Sequence, residues 1–159
     1  MTGLAAPDGL IGRDGEVSLV LSGMHPADEA RGWFPYYTFA IAADGEPAGA
    51  IRLRVGDGPD LVLYGGHVGY EVLPAFRGRH YAERACRLLF PLMRANGQRE
   101  VWITCNPDNA ASRRTCERLG ARFEEIVALP RDSDMYQRGE REKCRYRLLV
   151  PPMPPDGGA

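Results

Sequence analysis

Six consecutive residues, Arg77-Gly78-Arg79-His80-Tyr81-Ala82, carry the clearest chemical signal in the chain. They follow a strand-like run at 66–73 and Pro74, and they open a helix-like run. A strand, a short glycine-containing loop and a helix N-terminus together form an anion site. The first helical turn has N–H groups without internal acceptors, and the loop amides point the same way. The expected ligand at 77–82 is therefore phosphorylated. Between 76 and 99 lie six arginines (77, 79, 84, 87, 94, 99) against one acid, Glu83, a local field that fits a small polyanion. From Arg84 onward the same pattern equally describes a solvated helix face.

Two groups upstream of this loop could move protons. His67 and Glu71 are four residues apart on the preceding strand, and alternation puts them on one face. Val68, Tyr70 and Val72 take the opposite, more apolar face. A carboxylate beside an imidazole suits general acid–base work, although an exposed pair has the same spacing. Tyr136, in a long polar loop, is a candidate acid or a packing aromatic. Tyr146, on the last strand, reads as structural.

The scaffold for these groups is legible in the periodicity. Strands are predicted at 16–22, 36–43, 48–55 and 67–73, with 61–64 continuing the sheet. Asp44-Gly45 marks a hairpin turn. Residues 24–34 form a connector with weak helical character. After the loop, Ala85, Leu88, Leu89 and Leu92 repeat at i, i+3, i+4, i+7, so one helix face is buried. Pro91 inside that run predicts a kink between 87 and 91, and Asn96-Gly97 ends the helix. A strand at 100–105 follows. Asp108 is the expected cap of a second helix that stops at Gly120. Strands at 124–129 and 144–150 enclose the polar loop 130–142. The order predicts an α/β domain with a single mixed, mostly antiparallel sheet flanked by helices. Residues 1–15 are expected to be flexible, 16–150 to form the domain, and 151–159 to be a disordered tail.

Composition narrows the function. A chain of 159 residues with 44% hydrophobic and 26% charged residues reads as one globular domain. The net charge of −1 gives no field for nucleic acid or an acidic membrane, and the aromatic interleaving of a single-strand binder is missing. Cys86, Cys105, Cys116 and Cys144 form no CxxC pair, and the histidines are scattered, so neither a metal site nor a disulfide framework is expected. No run of about 18 apolar residues occurs, so a cytoplasmic protein without a membrane span is expected.

Taken in order, these motifs resemble the GNAT family of N-acetyltransferases. The family's phosphate loop is written Gln/Arg-x-x-Gly-x-Gly/Ala, and residues 77–82 follow it. Val72-Leu73-Pro74 resembles the end of the family's fourth strand. Asn109-Ala110-Ala111-Ser112 and Glu117-Arg118-Leu119-Gly120-Ala121 resemble its Asn-x-x-Ala/Ser and Glu-Lys-x-Gly-Phe segment. Ile51-Arg52-Leu53-Arg54, residues 66–70 and Thr104-Cys105-Asn106 look closer to an uncharacterised branch of predicted acetyltransferases. The likeness covers about residues 36–149.

The resemblance implies acetyl-CoA as cosubstrate and direct transfer of its acetyl group to a primary amine, on a small molecule or a peptide. It implies that the amides of Gly78, Arg79, His80, Tyr81 and Ala82, helped by Arg77, hold the pyrophosphate. Main-chain groups of Tyr70 to Val72 would pair with the pantetheine arm, and Asn109 would bind it from the other side. Glu71 and His67 would then lie near the thioester, with an oxyanion donor from the backbone near Val72. Three departures stand out. His80 replaces the family's usual loop glycine and is expected to keep a helical φ. Cys116 stands where the family often has a tyrosine acid; its thiol is a candidate acid or a small core residue. The first connection is short, so the helical pair that helps wall the acceptor site is reduced. A non-catalytic acyl-CoA-binding or sensor module is the alternative. A homodimer through an edge strand is compatible with such a fold.

Overall fold

The computed structural model describes residues 2–153. Four strands come first: β1 (Val17–His25), β2 (Tyr36–Ala43), β3 (Glu46–Arg54) and β4 (Val68–Val72). Two helices follow, α1 (Tyr81–Leu88) and α2 (Phe90–Ala95). Then come β5 (Glu100–Cys105), α3 (Ala110–Arg118), β6 (Arg122–Ala128), the single turn α4 (Asp134–Gln137) and β7 (Glu142–Leu149).

Strand chemistry explains the first sheet. Along β3, Ala48, Ile51 and Leu53 are buried while Ala50 and Arg52 are exposed. That alternation gives the β1-β2-β3-β4 sheet one apolar face and one open face. The β2–β3 hairpin closes at Asp44 and Gly45, both at positive φ (51° and 81°), as a two-residue primed turn requires. The apolar face carries Phe39, Ile41, Ile51, Leu53 and Val68 and packs under α1 and α2. Leu89, Leu92 and Met93 fill that interface without solvent exposure. Truncating one such leucine to alanine costs about 2–5 kcal/mol. Pro91 does interrupt the helix: α1 ends at Leu88, Leu89 sits between the two pieces, and Pro91 falls in the first turn of α2, where its missing N–H is harmless.

The single mixed sheet expected from the sequence is resolved into two antiparallel sheets, β1-β2-β3-β4 and β5-β7-β6. No ladder joins β4 to β5 among the described residues. Just before β4 the His67 N–H donates to the Trp102 carbonyl (2.7 Å) and the Trp102 N–H donates to His67 Nδ1 (2.8 Å).

Other differences have local causes. Residues 61–65 form a π-helical turn rather than strand; the Thr104 hydroxyl and the Arg145 guanidinium hold its Tyr64 and Val62 carbonyls. Residues 26–35 carry no helix, only a bridge between Asp28 and Trp33. The N-terminal segment, expected to be flexible, is tied down: the Ala5 carbonyl accepts from Tyr37, and its N–H donates to Asn96. Leu4, Leu10 and Ile11 pack on the core. The cap of α3 is Asn109, whose side chain accepts from the Ser112 N–H (3.1 Å), rather than Asp108. The tail expected at 151–159 lies, from 154 on, outside the described residues.

Candidate active site

Residues 77–80 form the loop that leads from β4 into the N-terminus of α1. Among the described residues, the N–H groups of residues 78–83 find no acceptor in the protein; the first bond of the helix is Arg84 N–H to the His80 carbonyl. Six donors are therefore left without an acceptor at the positive end of α1. The loop reaches this shape through two left-handed residues, Gly78 (φ 86°) and His80 (φ 61°). The expectation of a helical φ at His80 is thus corrected: the histidine takes the glycine-type conformation itself, its exposed ring turned outward. The arginines divide sharply. Arg84 binds Asp14 and Glu16, Arg87 binds Glu83, and Arg94 binds the Pro151 carbonyl. Arg77 stays at the loop, its Nε donating to the Val72 carbonyl (3.1 Å).

The β4 backbone is open on one side. Arg54 N–H bonds the His67 carbonyl and Leu73 N–H bonds the Ala48 carbonyl, which fixes the register with β3. By antiparallel alternation, residues 67, 69, 71 and 73 turn their main-chain groups toward β3. Tyr70 and Val72 turn theirs outward, into the gap before β5. Of the expected pairing stretch, Tyr70 offers its N–H and carbonyl and Val72 its N–H, free among the described residues; the Val72 carbonyl is taken by Arg77, and Glu71 offers only its side chain.

Two clefts meet along this gap. The first, about 480 Å³, runs from the phosphate loop along α3 and includes Glu71, Val72, His80, Tyr81, Arg114 and Arg118. The second, about 900 Å³, lies on the open face of β3 and β4, between the 26–35 connector and the 130–143 loop. Tyr70, Asn109 and Ser112 line both. They mark the junction of the two clefts.

The predicted chemical residues separate accordingly. Glu71 is exposed on the first cleft and has no hydrogen-bond or ion-pair partner among the described residues. His67 is not beside it in function. Its imidazole is 2% exposed, accepts the Trp102 N–H on Nδ1 (2.8 Å), and faces the Gly56 carbonyl with Nε2 (2.7 Å). The first contact requires a lone pair on Nδ1, so the proton sits on Nε2 and the ring is neutral. Burial pushes its pKa below the usual value. His67 is a structural pin at the point where the sheets part. Cys116 is fully buried and lines neither cleft; burial pushes its thiol up to about 12. Tyr136 also lines neither cleft, its ring stacked under Arg141 at 3.9 Å. Tyr146 is 1% exposed and accepts from Arg113, as a structural residue should.

The sequence reading passed over the Tyr70 side chain and Ser112. The Tyr70 hydroxyl lies 2.9 Å from Ser112 Oγ and 3.9 Å from Cys116 Sγ. It thus comes from β4 to the neighbourhood where a tyrosine at position 116 would project. Burial raises its pKa far above the usual phenol, so it stays protonated. Arg114 and Arg118 were also missed; their i, i+4 spacing on α3 is the signal that puts both on the cleft.

Comparison with known proteins finds the same fold. The Mycobacterium smegmatis RimJ structure, in complex with CoA-disulfide, is 23% identical over 76% of this chain and 55% of that one, with a TM-score of 0.57. An acetyltransferase that modifies the N-terminal serine of a 50S ribosomal subunit protein in Salmonella typhimurium is 20% identical, covering 77% of this chain and 67% of its own, at a TM-score of 0.56. The microcin C7 self-immunity acetyltransferase MccE, in complex with acetyl-CoA and AMP, is 19% identical over 72% and 61%, at 0.57. The chain spans little more than half the length of RimJ. No curated protein sequence matches it. The acetyltransferase (GNAT) domain profile matches residues 14–122, from the start of β1 through α3 and thus across both walls of the first cleft. By that match, and with the donor loop and parted strands in place, the chain belongs to the GNAT acetyltransferase family.

Proposed function

We propose that this chain transfers the acetyl group of acetyl-CoA directly to a primary amine, with both substrates bound at once. The observation that carries the reading is the pair of clefts meeting at Tyr70, Asn109 and Ser112. One cleft has a six-amide phosphate loop and an open strand edge, the two features a pyrophosphate with a pantetheine arm needs. The other gives an acceptor its own approach. Solved proteins of this fold hold acetyl-CoA or CoA-disulfide, which supports the same cosubstrate here.

The chain's own groups divide the work as follows. Residues 78–83 and Arg77 hold the pyrophosphate, with Arg114 and Arg118 on the facing wall. The Tyr70 and Val72 main chain aligns the arm. The outward N–H of Tyr70, at the junction, donates to the thioester carbonyl oxygen. Glu71, a free carboxylate, takes the proton from the incoming ammonium, directly or through one water. The Tyr70 hydroxyl gives its proton to the departing sulfur and is recharged through Ser112. Cys116 lacks a path to the cleft and acts as core.

Calorimetric titration with acetyl-CoA, with ATP as control, tests the first half of this reading. Micromolar binding of acetyl-CoA and none of ATP is expected; equal or absent binding refutes it. Thiol release on an amine panel tests the second half. Tight binding without turnover on any amine would favour the acyl-CoA sensor.

A further inference from the structure

The second cleft is polar, and its charges are unevenly satisfied. Arg31 is paired with Asp28. Arg54 donates to the Gly65 and Gly66 carbonyls. Arg138 and Lys143 share Glu140, and Lys143 also donates to Asn106 (2.8 Å). Arg52 alone among these cations has no carboxylate or carbonyl partner among the described residues. It stands opposite Gly69 in the β3–β4 register. A Cβ at Gly69 would lie 3.1 Å from the Arg52 Nη2, closer than a side chain comfortably sits, so the glycine leaves room for the guanidinium to lie over β4.

Gly69 directly precedes Tyr70, and one strand residue advances the chain by only about 3.3 Å. Arg52 and Tyr70 both line the second cleft, so the free guanidinium lies near the Tyr70 main chain, on the sheet face opposite the Tyr70 ring. Three acids on the same cleft, Asp60, Asp132 and Asp134, are exposed and also lack an ion-pair partner among the described residues. They draw a cation in; Arg52 then requires an anion close to the reacting nitrogen. A guanidinium suits a carboxylate because two parallel N–H groups match its two oxygens.

Resting on the acetyl-transfer reading above, we infer that the acceptor is a zwitterion: an amine that carries a carboxylate near it, held by Arg52. A free amino acid or a short amino-carboxylic acid has this chemistry. A polyamine has the cation without the anion, and an amino-acid amide has the amine with the charge removed.

The test compares matched pairs under saturating acetyl-CoA: alanine with alaninamide, β-alanine with β-alaninamide, and spermidine as the polycation. The amides have the less basic amines, so more of each is neutral at a given pH, which biases the comparison against the inference. An acid-to-amide ratio in kcat/KM of about 10 or more is expected, from the usual strength of a hydrogen bond to a charged group. Arg52→Gln should bring the ratio to about 1, and Arg52→Glu should invert it. Arg52 is exposed, so both variants should fold. Turnover of amides or spermidine at rates equal to or above the acids, or a ratio untouched by Arg52→Gln, overturns the inference and leaves acetyl transfer standing. Binding of acetyl-CoA with no transfer to any of these amines overturns both.

Discussion

Replacing His80 with glycine should make the protein more stable, against the usual cost of removing a side chain. The histidine sits at φ 61° and ψ 29°. That conformation crowds Cβ against the following carbonyl and costs a non-glycine residue about 1–2 kcal/mol. Glycine removes the crowding but gives the unfolded chain more freedom, which takes back about 0.5–1 kcal/mol. The ring is exposed and makes no hydrogen bond among the described residues, so no contact is lost. The net gain is about 0.5–1 kcal/mol. For a domain of this size that raises the melting temperature by about 1–4 °C. The assay is thermal unfolding followed by circular dichroism, with His80→Ala alongside. Alanine keeps the Cβ and so should gain nothing. If glycine lowers the melting temperature, or alanine raises it equally, the strain argument fails and the ring has a stabilising contact.

The remaining expectations concern the site and its pin. Arg77→Ala with Arg79→Ala should weaken acetyl-CoA binding about 10-fold or more by calorimetry, given the strength of charge-assisted bonds; unchanged affinity would remove the loop as the phosphate site. Tyr70→Phe should lower kcat about 10²–10⁴-fold, as loss of a positioned acid does, with little change in acetyl-CoA affinity, whereas Cys116→Ser should keep its rate. The reverse result would return the acid role to the thiol. Glu71→Gln should cut kcat/KM for the amine without altering acetyl-CoA binding, and a wild-type rate would exclude it as base. Stability should fall as pH drops below about 6.5, the unfolded histidine value, because His67 is held neutral with its pKa lowered and the unfolded chain then binds the extra proton. The slope from this group is at most about 1.4 kcal/mol per pH unit. Chemical denaturation from pH 7 to 5 measures it, and a His67→Gln variant should lose that part of the slope.

Alternation and turn chemistry carried the sequence reading far. The β2–β3 hairpin, β5 and the break at Pro91 follow from local rules, and so does the glycine-containing loop that opens α1, because a helix N-terminus is a local object. The same alternation rightly put Glu71 and His67 on one face of the strand. It could not tell that β5 arrives over His67 and buries it, since periodicity names a face and not its neighbour. Tyr70 was read as backbone for the same reason: its hydroxyl meets Ser112, 42 residues away, and no window along the chain contains both. The π-turn at 61–65 was mistaken for strand because an apolar run of four has no period. Its shape is held by Thr104 and Arg145, which lie in other elements.

The missing ladder between β4 and β5 also has a thermodynamic consequence. Beyond His67, the outward N–H groups of Tyr70 and Val72 have no partner among the described residues. A molecule lying in the gap would serve as a guest strand between two sheets that no ladder joins among the described residues. Its occupancy is then a component of folding, worth about 2.7 kcal/mol when the free concentration is a hundredfold above the dissociation constant. The population of intact protein would track the supply of that guest, and its survival against proteases would report the acyl-donor pool before any acceptor is consumed.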